Sequence, residues 1–215
     1  METLKTSREL QTDLWTKEIT LEGALVRLAP TGLAHLQSLS CNILYPRYWV
    51  DDFGGCISPE DVEKEIRHSL QARQDRLENG FTMIDKKTGE AIGLTNYLYF
   101  NRKLKGLEIG RTRVGISWHK TSANTEAKLL LMTYAFETLG CQRVGFKVDS
   151  LNFNSQRAVK RIGGKFEGEI RNYMLLPDGR KRDYHSYSII DSEWLNVKKT
   201  LQGYLEKYYV SPESL

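Results

Sequence analysis

Residues 106–128 read GLEIGRTRVGISWHKTSANTEAK, and the chain continues LLLMTYAFETL through residue 139. Residues 107–117 predict a β-strand, and 124–139 predict a helix. That helix has Ala127, Leu130, Leu131, Tyr134 and Ala135 on one face and Leu129, Met132 and Phe136 around the others. A helix apolar on most sides is expected to be buried. Its entrance is small, hydroxylic and basic, with no large apolar residue after Trp118. RVGFKVD (143–149) then predicts a second strand. A strand, a helix and a strand in this order imply a crossover and a parallel strand pair.

Outward from this core, ALVRL (24–28) predicts a short strand, and Thr31 a cap for a helix through about Leu39. Ser58-Pro59-Glu60-Asp61 marks a helix start: a capping serine, proline in the first turn, and acids facing the positive end of the dipole. That helix is expected to reach about Glu78, where Asn79-Gly80 stops it. FTMID (81–85) and AIGLTNYLYF (91–100) predict paired strands. Ser155–Ile162 predicts a short helix closed by Gly163-Gly164. Strands follow near 165–175 and 182–190 about a Pro177-Asp178-Gly179 turn. Asp191 is expected to open a last helix with Trp194, Val197, Leu201, Tyr204 and Tyr208 on its apolar stripe. The sum is an α/β (α+β) domain over 21–210 with mostly antiparallel strands, preceded by a polar, loosely attached arm over 1–20.

The chain has 215 residues, 40% apolar and 27% charged, as an ordinary soluble domain does. No stretch has the length and apolarity of a membrane span, and residues 1–18 lack the apolar core of a signal peptide. Cys41, Cys56 and Cys141 form an odd set without metal-like spacing, which suggests reduced thiols, no metal and a cytoplasmic protein. The net charge of +4 is interleaved with acids, unlike the dense basic stripe of a nucleic-acid binder.

The polar entrance at 118–128 has two readings. Small residues let an anion approach the unpartnered amides at a helix N-terminus. The same residues also make a well-capped helix start, with Asn124 or Ser122 as the cap.

Several segments together resemble the GNAT N-acetyltransferase family, in particular its RimJ/RimL-like branch. They are LEGALVRLAP (21–30), GLEIGRTRVGISW (106–118), the run from Asn124 to Gly168, and RNYMLLPDGRKRDYHSYSIIDSEW (171–194). The resemblance covers about residues 20–200. It implies a GNAT fold: a mixed, mostly antiparallel sheet flanked by helices and splayed at the cofactor site. It also implies acetyl-CoA as co-substrate and a primary amine, on a peptide or a small molecule, as acceptor. The family's pyrophosphate loop falls on His119, Lys120, Thr121, Ser122, Ala123 and Asn124, with Thr125 following. His119 stands at the usual Gln or Arg, Ser122 at the usual Gly, and Asn124 at the usual Gly or Ala. A positive φ at 122 would strain the serine.

The resemblance further places the acetyl-pantetheine arm between strands 107–117 and 143–149. Asn152 would bond that arm, and Ser155 would lie near the thioester sulfur as a candidate acid. Both could equally cap the helix. Many family members carry a tyrosine acid seven residues after this asparagine, where this chain has Val159. Glu108 corresponds to the family's usual base, with His185 on the last strand as rival. Tyr48, Trp49, Asp51 and Asp52 are the expected acceptor wall, aromatic and acidic, suited to a cationic amine. Lys128, Arg157, Lys160 and Arg161 could approach phosphates, although single helix cations ordinarily face solvent.

An α-amine of pKa near 8 costs only roughly 1 kcal/mol to deprotonate at neutral pH, whereas a lysine-like amine costs roughly 4–5 kcal/mol. Weak base machinery therefore leans toward α-amines or other easily deprotonated amines. Two alternatives remain open in the sequence: a non-catalytic acyl-CoA-binding module, and, less favoured, an RNA binder. The last strand or helix leaves room for a homodimer.

Overall fold

A computed structural model of the chain describes residues 15–45, 56–176 and 179–209. An eight-stranded sheet has the order β1-β2-β3-β4-β5-β6-β8-β7. The strands are β1 (Leu21–Glu22), β2 (Val26–Pro30), β3 (Asn79–Asp85), β4 (Ala91–Asn101), β5 (Gly106–Val114), β6 (Arg143–Asp149), β7 (Lys165–Leu175) and β8 (Lys181–Ile190). Only β5 and β6 run parallel, and every other pair is antiparallel. The helices are α1 (Leu36–Asn42), α2 (Pro59–Gln74), α3 (Ala123–Thr133), α4 (Phe153–Arg161) and α5 (Asp191–Tyr209). Helix α3 makes the β5-to-β6 crossover that the sequence requires.

The two faces of the sheet bury separate cores. Helices α1 and α2 cover one face through Leu39, Ile43, Val62, Ile66 and Leu94. Helices α3 and α5 cover the other, with Phe81, Tyr97, Leu131, Met132, Phe136, Tyr187 and Trp194 in one cluster. Trp194 stacks on Phe136 at 5.1 Å and donates its indole N–H to Glu137 at 2.7 Å, which fixes α5 against the end of α3. The thiols of Cys56 and Cys141 are buried, and burial pushes them up to about 11 and about 12. Both stay protonated and unreactive at neutral pH.

Local chemistry explains the element ends. Ser58 caps α2 by accepting from the Asp61 amide at 3.3 Å, with Pro59 at the first position. Thr31, by contrast, caps no helix. Its amide donates to Gly80 at 3.0 Å, so sheet pairing runs past Pro30 and the chain enters α1 through a 3-10 turn, Leu33–His35. Strand β5 stops at Val114, three residues earlier than the strand pattern suggests, because Ile116–Trp118 close a 3-10 turn. The last turn of the α3 segment widens into a π-helix over Tyr134–Thr138. Gly140, at φ 64°, ends it.

The supposed arm is partly a structural element. Trp15 is 4% exposed in the main core, and its carbonyl accepts from Asn79 Nδ2 at 3.3 Å. Glu18 pairs with the buried Arg73 at 2.9 Å. Residues 15–20 therefore belong to the folded body. Trp15 and Ile19 pack on the core, and the bonds to Asn79 and Arg73 add to their hold.

Glu126, in the first turn of α3, is 1% exposed. Its carboxylate accepts the amides of Ala24, Leu25 and Val26 at 2.9, 2.7 and 2.6 Å. It thereby closes the turn between β1 and β2 and bolts it to the helix. Each amide left without its acceptor costs about 1–3 kcal/mol. Glu126→Ala is therefore expected to lose at least about 3 kcal/mol in urea unfolding. A loss below about 1 kcal/mol would mean that the carboxylate is dispensable.

Candidate active site

The parallel ladder between β5 and β6 is short. Gly106 pairs with Arg143, Leu107 with Val144 and Glu108 with Gly145, and there it ends. From Ile109 onward the two strands part, and no described strand lies on that side of β5. A β-bulge turns β5 away at this point. Leu94 pairs with Arg113 and Asn96 with Gly110, so Arg111 and Thr112 together stand opposite the single residue Thr95. Arg111 takes φ 48°, the left-handed conformation of a bulge residue. The opening expected from the sequence is therefore present, and its vertex is at Glu108 and Gly145. A side chain at 145 would press on Glu108 Cγ at 3.0 Å, so glycine there leaves the glutamate its place.

The bulge is held from both faces of the sheet. On the α2 face, Arg111 pairs with Glu78 at 3.2 Å, and Asn96 donates to the same carboxylate at 3.1 Å. On the α3 face, Lys128 donates to Thr112 Oγ1 at 2.6 Å and to Thr95 Oγ1 at 3.1 Å. The two hydroxyls are themselves 2.9 Å apart. Lys128 is 6% exposed, so the helix cation expected to face solvent points into the core instead.

Two helix N-termini flank the open end. The amides of Asn124 and Thr125, in the first turn of α3, have no acceptor among the described residues. Glu126 is the first to donate within the turn, to Ser122 at 2.9 Å. Ser122 is the cap residue but makes no side-chain cap bond. Its φ is −79°, so the serine carries no strain. The left-handed residue of the loop is Lys120, at φ 61°. The loop therefore meets its conformational demand two residues earlier than the position of the usual glycine suggests. The His119 ring packs back on the loop, its Nε2 2.9 Å from the Val114 carbonyl and its ring beside Tyr45, while the residue stays exposed, as Lys120 and Thr121 do. The Thr121 hydroxyl donates to the Trp118 carbonyl at 2.8 Å, and Ala123 is buried beneath the loop.

The second N-terminus is that of α4. Asn152 caps it, its Oδ1 accepting from the Ser155 amide at 3.0 Å. The capping reading thus holds for Asn152 and not for Ser155. The hydroxyl of Ser155 is half-buried and has no partner among the described residues. Arg161, from the last turn of α4, donates to Thr125 Oγ1 at 2.9 Å and lies over the Tyr204 ring at 4.6 Å. A guanidinium thus stands beside the first turn of α3. Among the helix cations, this one fits an anion at the loop.

Glu108 meets Lys147 of β6 at 3.1 Å. Lys147 lies 4.7 Å from the centre of the Tyr99 ring and 5.0 Å from that of Tyr173, and donates to Tyr173 Oη at 3.3 Å. Burial works against the charge of Lys147, but the hydrogen bond and charge of Glu108 outweigh it and hold the lysine above its usual range. Sequence reasoning missed this cluster, because nothing in RVGFKVD marks Lys147 as facing Glu108. His185 lies opposite Val148, one residue out of step with Lys147, which puts it on the other face of the sheet. There it pairs with Glu169 at 3.1 Å. It does not share a site with Glu108. Tyr48, Trp49, Asp51 and Asp52 lie outside the described residues.

Fold and opening together define an acyl-CoA-type transferase architecture, and comparison with known proteins gives its family. The acetyltransferase (GNAT) domain family model matches residues 25–165, and the chain belongs to that family. An uncharacterized N-acetyltransferase, p20, of Bacillus licheniformis is 29% identical over 116 residues, 54% of this chain and 64% of that relative's length. A GCN5-related N-acetyltransferase from Brucella melitensis superposes with a TM-score of 0.81 at 27% identity, covering 93% of this chain and 90% of its own. Mycobacterium smegmatis RimJ, solved with CoA-disulfide, matches with a TM-score of 0.74 at 17% identity, over 88% and 96% of the two chains. At that identity the likeness to RimJ concerns the fold.

Lys128 carries a pH signature. Burial alone lowers its pKa from 10.5 to about 7. Below about pH 7 the lysine is charged in both folded and unfolded chains, and the burial penalty is constant. Between about 7 and 10.5 only the unfolded chain keeps the proton. Stability should therefore rise with pH there, by about 1.4 kcal/mol per unit from this group. Subtracting the stability–pH curve of Lys128→Met from that of wild type isolates the effect. A flat difference between pH 7.5 and 9.5 would show that Lys128 is not buried as described.

Proposed function

We propose that the protein is an acetyl-CoA-dependent N-acetyltransferase that acts on a primary amine. One observation carries this reading: the sheet parts after Glu108 and Gly145 into a gap flanked by two helix N-termini. Backbone edges exposed inside a sheet, beside unpartnered helix amides, suit a ligand with an amide-bearing arm and a diphosphate. In this reading the diphosphate meets the amides of Asn124 and Thr125, with Arg161 and Lys120 adding charge. The pantetheine arm runs along β5 from Ile109.

The reaction is a direct transfer. The amine nitrogen attacks the thioester carbonyl carbon and the carbonyl π electrons move to oxygen, where β5 amides beyond Glu108 stabilise the developing charge. Collapse breaks the carbon–sulfur bond and releases the CoA thiolate. Glu108 takes the amine proton, through water, and Ser155 or water protonates the sulfur. Glu108 is held by Lys147 and reaches the amine only through water, an arrangement that suits an amine near neutrality such as a peptide α-amine. The acceptor class of this reading is therefore a peptide or protein N-terminus or a comparable small amine. A non-catalytic acyl-CoA-binding module is the second reading, favoured by Val159 at the position where many family members carry a tyrosine acid.

Calorimetry with acetyl-CoA, followed by thiol release over unblocked peptides, amino acids and spermidine, tests both. Micromolar binding with release on at least one amine is expected. Glu108→Gln and Ser155→Ala should each lower kcat about tenfold or more while acetyl-CoA affinity changes less than about threefold. Binding without release on any amine would select the second reading, and no binding at millimolar acetyl-CoA would overturn both.

A further inference from the structure

Lys128 is the one buried lysine of the described core, and the proposed reaction does not use it. Among the described residues no carboxylate pairs with it. Its contacts are the hydroxyls of Thr95 and Thr112. An isolated buried ammonium is costly, and a methionine of similar volume would fill the same space without that cost. The partners explain why a lysine stands there. Thr112 is the second residue of the β5 bulge, and Thr95 is the single β4 residue opposite it. The amine therefore ties together the two sides of the register shift, where β5 leaves β6.

We propose that Lys128 is a positioning residue for acyl transfer: joined to Thr112 and Thr95, it fixes the β5 bulge so that the amides there point at the thioester carbonyl. The proposal rests on the reading that acetyl-CoA lies along β5. A neutral amine offers two N–H donors, and two hydroxyls accept them, so the triad is satisfied in its uncharged form. In its charged form a third N–H lacks an acceptor among the described residues. From the other face, Glu78 holds Arg111, the first bulge residue. The two-residue bulge is thus gripped above and below, and no side chain needs to enter the cofactor gap.

The test needs no acceptor. Acetyl-CoA labelled with carbon-13 at the acetyl carbonyl is bound to the full chain, and its carbonyl stretch is read by infrared difference spectroscopy. Wild type should lower the stretch relative to free acetyl-CoA, as hydrogen bonding does. Lys128→Met should bind acetyl-CoA within about threefold of wild type, melt no lower at pH 7, and lose at least half of the frequency shift. Thr112→Val should lose the same share, Thr112→Ser should retain it, and the Lys128→Met/Thr112→Val double variant should lose no more than either alone. If Lys128→Met fails to fold, the comparison of Thr112→Val with Thr112→Ser decides alone. An unchanged shift in Lys128→Met or Thr112→Val, with binding intact, would overturn the positioning role and leave the acetyltransferase reading standing. A wild type that binds no acetyl-CoA would overturn both.

Discussion

A parallel strand pair that stops after three positions is the constraint on which this molecule is built. Backbone donors and acceptors in a sheet interior are almost always paired, and an unpaired edge inside the sheet is expensive. Here the edge is produced by a built-in device. The bulge at Arg111 and Thr112 adds one residue to β5 and raises its local twist, so the strand swings from β6 while keeping its antiparallel partner β4. Crossover helix α3 must then start at the open end and return beneath the sheet to β6. The gap, the helix N-terminus beside it and the start of α4 across from it all follow from that divergence.

This geometry explains why so polar a stretch opens so apolar a helix. The first turns of α3 are a junction. Thr125 receives Arg161 from α4, Glu126 collects the amides of the β1–β2 turn, and Lys128 reaches the bulge between β4 and β5. Only after Lys128 does the helix become a simple packing element, with Leu131, Met132 and Ala135 in the core. Polar residues here are buried in order to connect separate strands. A buried carboxylate with three amides is well satisfied, whereas an ammonium with two hydroxyls is only partly so. The first reads as architecture. The second reads as a functional concession.

The fold was legible because its signals are local and periodic. RVGFKVD and residues 165–175 are strands with the bounds that alternation suggests, and Ser58-Pro59 starts α2 as capping chemistry demands. Errors arise where tertiary pairing overrides local preference. Thr31 looks like a cap but continues the sheet through Gly80, and Trp15 looks like part of a solvated arm but is held by the core. The placement of the site's loops was legible, since Ser122 and Asn152 stand at the starts of the two helices beside the gap. Its ion pairs were not. Lys147 and Glu108 are far apart in sequence, and their meeting depends on the register of β5 with β6, which no spacing encodes. Lys128 was hidden for another reason. A cation in a helix is ordinarily solvated, and only the bulge's demand for a donor turns it inward.

The pair formed by Glu108 and Lys147 constrains the chemistry that the opening can support. A carboxylate that holds an ammonium at 3.1 Å keeps spare lone pairs for a water molecule. Lys147 keeps its charge against burial because Glu108 holds it. In the proposed reaction, stripping a proton from a strongly basic amine would cost several kcal/mol more than from an α-amine. The aromatic rings of Tyr99 and Tyr173 also favour a cation at Lys147. In that proposed reaction the developing charge on the carbonyl oxygen falls to the amides of β5, and the shape of the bulge is what sets their direction.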